Sequence, residues 1–65
     1  MSPIDMSREI VEILIDNEYI RKELHTCICE QLTAEQIKEL YLEVLYKFEN
    51  INQLKLKLWI IVLKN

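Results

Sequence analysis

The apolar residues in the first half of the chain recur at helical spacing. Met6, Ile10, Ile13, Leu14, Ile20, Leu24, Ile28 and Leu32 fall on one arc at about 100° per residue. Glu9, Glu12, Asp16, Glu23 and Glu30 gather on the opposite side, while Val11 and Ile15 lie on the flank of the apolar arc. The pattern predicts one amphipathic helix over about residues 3–30. Its start is legible: Ser2 supplies an N-cap hydroxyl, Pro3 the first helical position and Asp5 a carboxylate in the first turn. Asn17 falls among the apolar positions, where it is either a buried amide that fixes register, as in coiled coils, or an exposed edge residue.

A second helix is announced by Leu32-Thr33-Ala34-Glu35-Gln36-Ile37. Thr33 can cap, Gln36 can reach back to it, and Leu32 can staple onto Ile37. Ile37, Leu40, Tyr41, Val44, Leu45, Phe48 and Ile51 then form a wide apolar arc, predicting a helix over about residues 34–50. A short turn around residues 30–33 folds the two helices back antiparallel. The expected fold is all-α: one domain over residues 1–65, built as a two-helix hairpin.

Residues 53–64 read two ways. Leu54-Lys55-Leu56-Lys57-Leu58 alternates with period two, and Trp59-Ile60-Ile61-Val62 is rich in β-branched and aromatic residues, as in a strand. A lone strand would need an edge from another chain. Leu and Lys are also good helix formers, and Lys55, centred on the apolar arc of a continued helix, would have to snorkel out. Helix is the preferred reading, with a kink near Asn50 and Asn52.

A hairpin buries one stripe per helix, yet each helix carries more than one. Leaving Val11, Ile15, Tyr41, Leu45 and Phe48 exposed would forgo ~1.5–3 kcal/mol for each that can be fully buried. A second copy, completing a four-helix bundle, is the simplest cover. The expectation is therefore a homodimer or higher oligomer.

Composition sharpens this picture. The chain has 65 residues, no Gly and a single Pro, which disfavours tight β-hairpins. With 51% hydrophobic and 29% charged residues it is a folding sequence. Net charge is −3, distributed as −4 over residues 1–32 and +1 over residues 33–65. An acidic chain without a basic cluster argues against nucleic-acid binding. The first residues lack a positively charged leader start, and the longest apolar run, Leu58 to Leu63, falls far short of the ~20 residues of a membrane span. The expected compartment is the cytoplasm, where Cys27 and Cys29 stay reduced.

Candidate chemistry is sparse. His25-x-Cys27-x-Cys29 holds metal-ligand types, but residues two apart on a helix diverge by about 200°, so Cys27 and Cys29 read as small hydrophobes. No metal or cofactor is expected, and a subunit-shared metal site is the minor alternative. One His, with Ser only at positions 2 and 7, leaves no nucleophile–base–orienter set, so no enzyme is expected. Glu9, Glu12, Asp16 and Glu23 are candidates to dock a basic partner, although a solvated outer face is their ordinary reading. Tyr41, Tyr46, Phe48 and Trp59 are candidate anchors of a contact face, since aromatic side chains dominate interface hot spots, and Leu45 is a candidate apolar contact beside them. Lys55, Lys57 and Lys64 around Trp59 also suit an interfacial membrane anchor.

Thr33 to Tyr41, reading T-A-E-Q-I-K-E-L-Y, resembles the opening of the second helix in small helical-hairpin adaptors of the phycobilisome-degradation type. Those are dimers of two-helix chains of similar length. The likeness covers this segment alone, and no functional residue is carried over from it. The functional expectation is a self-associating helical regulator, adaptor or inhibitor acting through an unidentified protein partner. A peripheral membrane protein anchored by its C-terminal segment is the alternative.

Overall fold

The computed structural model describes residues 1–46 and 51–63, with backbone alone for Ile51 and residues 61–63. Four helices and no strand occur among them: α1 (Pro3–Leu14), α2 (Glu18–Gln31), α3 (Ala34–Tyr46) and α4 (Ile51–Leu63). The all-α expectation holds at that level.

The single helix expected over residues 3–30 is broken into α1 and α2. Ile15 leaves helical geometry at φ −123° and ψ 129°. Asn17 then starts α2 as its N-cap, the Oδ1 accepting from the Ile20 N–H at 3.1 Å. Asn17 is exposed, so it fixes a helix start and is no buried register residue. Arg21 secures the other side of the break: its Nε donates to the Ile15 carbonyl and its Nη2 to the Glu12 carbonyl at 3.4 Å. These are carbonyls that a helix C-terminus leaves without intrahelical partners. Shape gives the reason for folding back. An unbroken helix of that length would run ~40 Å at 1.5 Å per residue, yet the longest extent of the molecule is 27 Å.

The other helix ends follow local chemistry. The Ser2 hydroxyl accepts from the Asp5 N–H at 3.2 Å, and Pro3 opens α1. At α3 the capping box forms: the Gln36 N–H donates to Thr33 Oγ1 at 3.2 Å, and the Thr33 N–H to Gln36 Oε1 at 2.9 Å. Among the described residues none takes a positive φ, in keeping with a chain that has no Gly.

Helix α1 packs against both α2 and α3, and α2 packs against α4. Ser7 meets His25 while Glu12 meets Arg21, so α1 and α2 run antiparallel. Ile10, Leu14, Leu24, Ile28, Ile37 and Val44 are core residues, and α4 adds Leu54 and Leu58. Ser7, with 0% exposure, lies in this core, its hydroxyl 3.0 Å from His25 Nδ1. A small side chain there lets α1 and α2 approach closely, and the imidazole satisfies the hydroxyl.

Burial departs from the projected arcs at the places the break dictates. Val11 and Ile15, expected to need cover from another chain, are buried within this one, while Ile13, expected in the core, is 42% exposed. The arc that chose Ile13 was phased on residues belonging to α2, which the break rotates away.

The C-terminal segment is helix, and the strand alternative is set aside. Leu54 and Leu58, one turn apart, are buried, whereas Leu56 between them faces out; alternating Leu and Lys hid an i, i+4 pair. Lys55 is half-buried on the flank. Nor does α4 continue α3. Lys57 Nζ lies 3.2 Å from Glu43 Oε2, whereas 14 residues along one helix span ~21 Å. The α4 helix therefore turns back, packing on α2 and reaching α3 through the Lys57–Glu43 pair. Of the helix expected over 34–50, residues 47–50 lie outside the described residues, as do Phe48 and the Asn50 side of the expected kink.

Candidate functional site

Helix α4 carries apolar residues on more than one side, interrupted by Asn52, Gln53, Lys55 and Lys57. Among its described side chains only Leu54 and Leu58 are buried. Leu54 and Leu58 face the core, but Leu56 is 61%, Trp59 42% and Ile60 54% exposed. Leu56 stands three residues from Trp59 and four from Ile60, so the three side chains form one continuous outer face.

Beside this face runs a groove between α3 and α4 of about 330 Å³, lined by Leu32, Gln36, Glu39, Leu40, Glu43, Lys57 and Ile60. Leu32, Leu40 and Ile60 supply apolar wall. Gln36, Glu39 and Glu43 follow one another at helical spacing on α3 and make an acidic rim. The Lys57–Glu43 pair ties α4 to α3 at the groove. Both partners are partly exposed, so the pair orients the helices more than it stabilises them.

The residues expected to contact partners are dispersed. Trp59 lies on the α4 face. Tyr41 is half-buried on the opposite side of α3, donating its hydroxyl to Glu9 Oε2 at 2.8 Å, with the Met1 sulfur 3.4 Å from the Tyr41 hydroxyl oxygen. The Glu9 carboxylate accepts that proton in a hydrogen bond, and burial and the nearby charge add to it, so the Tyr41 pKa is raised above its usual value. Leu45 is half-buried, and Phe48 lies outside the described residues. Glu12 is exposed on α1, Asp16 lies in the break, and Glu23 is exposed on α2. The acidic stripe expected along one helix is thus split: Glu9 turns to Tyr41, and Glu23 belongs to another helix.

Two further places carry chemistry-bearing residues. A concavity of about 260 Å³ between α1 and α2 is lined by Arg8, Arg21, Lys22 and His25, but also by Glu12 and Glu18. Arg21 there serves the α1 carbonyls, and the carboxylates offset much of the remaining positive charge. Next to it, His25 Nδ1 lies 4.0 Å from the Cys29 Sγ one turn along α2. Among the described residues no three His, Cys, Asp or Glu side chains converge as metal ligands. No described helix is long and apolar enough to cross a membrane.

Sequence reasoning missed the groove, because Leu32, Glu39, Glu43 and Ile60 meet only after α4 folds back. It also missed the break, although Asp16-Asn17-Glu18 was a usable signal: an N-cap amide followed by a first-turn carboxylate. No family model matches the chain, and neither a curated protein nor a solved structure matches it.

Proposed function

We propose that this chain is a non-catalytic helical module that self-associates and works by contact between protein chains, as a regulator, adaptor or inhibitor. The observation that carries this reading is the outer face of α4, where Leu56, Trp59 and Ile60 stand exposed side by side. Covering such a face recovers about 25 cal/mol per Å² of apolar surface removed from water. The basis has moved from the surplus expected from the sequence, because Val11 and Ile15 are covered within the chain. Exposed apolar side chains remain at Ile4, Ile13, Tyr19, Leu42 and Tyr46 as well, and on α4 three of them stand together.

A catalytic role finds few groups to work with. The Ser7 hydroxyl is buried against His25, and that of Ser2 is engaged with Asp5. The groove offers carboxylates and one paired lysine, without a nucleophile beside a base.

Light scattering of the intact chain over a range of concentrations tests the proposal. The expected mass is that of a dimer or higher oligomer, falling to the monomer in Trp59→Glu with helix content unchanged. A folded monomer at every concentration defeats it. The same face, flanked by Lys55 and Lys57, also suits the surface of an anionic membrane. Flotation with anionic vesicles separates the readings: binding by intact chain that stays monomeric in solution would favour lipid.

A further inference from the structure

The order of residues around α4 gives its exposed surface a polarity. Crossing from the groove outward at about 100° per residue, the positions run Lys57, Gln53, Ile60, Leu56, Asn52, Trp59, Lys55, with Leu54 and Leu58 on the far, buried side. Beyond Lys57 comes the groove itself with its rim of Glu39 and Glu43. One edge of the surface is thus a concavity bordered by carboxylates. The middle is aliphatic at Leu56 and Ile60, with Gln53 and Asn52 about a turn earlier in the helix, and the other edge is a large aromatic side chain followed by a cation. Such a surface matches its own image rotated by half a turn, which is the requirement of an isologous interface.

We infer that a second copy of this chain docks across α4 about a two-fold axis near Leu56 and Ile60, with Trp59 of each copy in the α3–α4 groove of the other and Lys55 of each against the other's Glu39. This rests on the self-association reading above and names its surface. Three observations favour a second copy over another occupant. Charge is complementary within one surface: α4 between residues 51 and 63 carries Lys55 and Lys57 and no acid, whereas α3 carries Glu35, Glu39 and Glu43 against Lys38. Shape is complementary too, because a groove of about 330 Å³ with apolar walls faces an exposed indole. An aromatic side chain of that kind buries roughly 150–250 Å² and anchors interfaces out of proportion to its number. The charges also stand ready. Lys57 already pairs with Glu43, but among the described residues neither Lys55 nor Glu39 makes an ion pair.

A charge-reversal pair tests this arrangement in the full chain. In a two-fold dimer each copy gives Lys55 to one contact and Glu39 to the other. Lys55→Glu alone and Glu39→Lys alone therefore each set two like-charge contacts, and each should weaken dimerisation about tenfold at low salt. Mixing the two variants should restore affinity, because both contacts of the mixed dimer are again attractive; contacts within one copy cannot be rescued by mixing. Trp59 is the chain's single tryptophan, so its fluorescence reports the groove directly. Emission should shift to the blue and resist quenching as the chain associates, and Leu40→Glu should abolish that shift. Circular dichroism of each variant checks that the helices persist, and Glu39→Gln serves as a milder substitution if Leu40→Glu unfolds. A dimer indifferent to both reversals, or not rescued by mixing, overturns the arrangement while leaving self-association intact. A chain monomeric at every concentration removes both.

Discussion

Helix α4 carries a heavier apolar load than α1, and the two helices bury their apolar residues differently. On α1, Ile10, Val11 and Leu14 are covered because α2 lies on one side and α3 on the other. On α4, Leu54 and Leu58 are the buried residues among the described side chains, and Leu56, Trp59 and Ile60 are left out. Burial is set by how many neighbours a helix has, since one partner covers only a narrow stripe. With two neighbours, α1 encloses Ile10, Val11 and Leu14 and leaves Ile4 and Ile13 exposed. With α2 as its main neighbour, α4 encloses Leu54 and Leu58 and leaves Leu56, Trp59 and Ile60 exposed.

The comparison breaks most readily by truncation on the two faces of α4. Leu58→Ala should cost about 2–5 kcal/mol in denaturant unfolding, like Ile28→Ala at the centre of the core. Leu56→Ala, measured at concentrations low enough to keep the chain monomeric, should cost under ~0.5 kcal/mol. Equal losses at Leu56 and Leu58 would mean that the outer face is covered within the chain.

A smaller effect probes why α1 is so well enclosed. Ser7→Leu places a large side chain where α1 meets α2 and should destabilise by ~1–3 kcal/mol through overpacking. An unchanged midpoint would deny that the two helices meet closely at Ser7. Smaller again is Asn17→Ala, which removes the α2 cap and should cost about 1 kcal/mol, with Asn17→Asp nearly neutral. A neutral Asn17→Ala would return the break to a continuous helix.

The slightest effect is confined to high pH. With the folded Tyr41 pKa raised above its ordinary value of 10.0, the phenol is protonated in both states below that value, and its contribution is fully present there. As pH rises from the ordinary value through the raised one, the unfolded chain releases the proton first and stability is lost. Thermal melts of the parent and Tyr41→Phe should therefore converge as pH climbs past this window. Parallel melts would show that Glu9 and Tyr41 do not couple α1 to α3.

Much of the fold was legible from local chemistry. Ser2, Pro3 and Asp5 announced α1, and Thr33 with Gln36 announced α3, because caps act over three residues and need no distant partner. The break was misread for an equally local reason. The apolar positions Met6 and Ile10 recur in phase at Leu24 and Ile28, and that periodicity outweighed the capping signal at Asn17. The candidate site was legible only in Trp59. The groove required Leu32, Leu40 and Ile60 to arrive from three helices, and no spacing within the chain encodes that meeting.

Two levels of determination can be separated in this protein. Period, caps and the absence of Gly sufficed by themselves for the all-α class and for the starts of α1 and α3, since these depend on interactions within a turn or two. The break at residues 15–17 escaped them, and by the same signals the C-terminal segment reads as helix or strand. Which apolar residues become core was decided only when α1 gained two neighbours and α4 mainly one. Burial depends on what else is near, and a helix wheel shows what a face contains without showing what covers it. The exposed ridge at Leu56, Trp59 and Ile60 is the product of that packing, and a second chain meeting it is the event on which the proposed role turns.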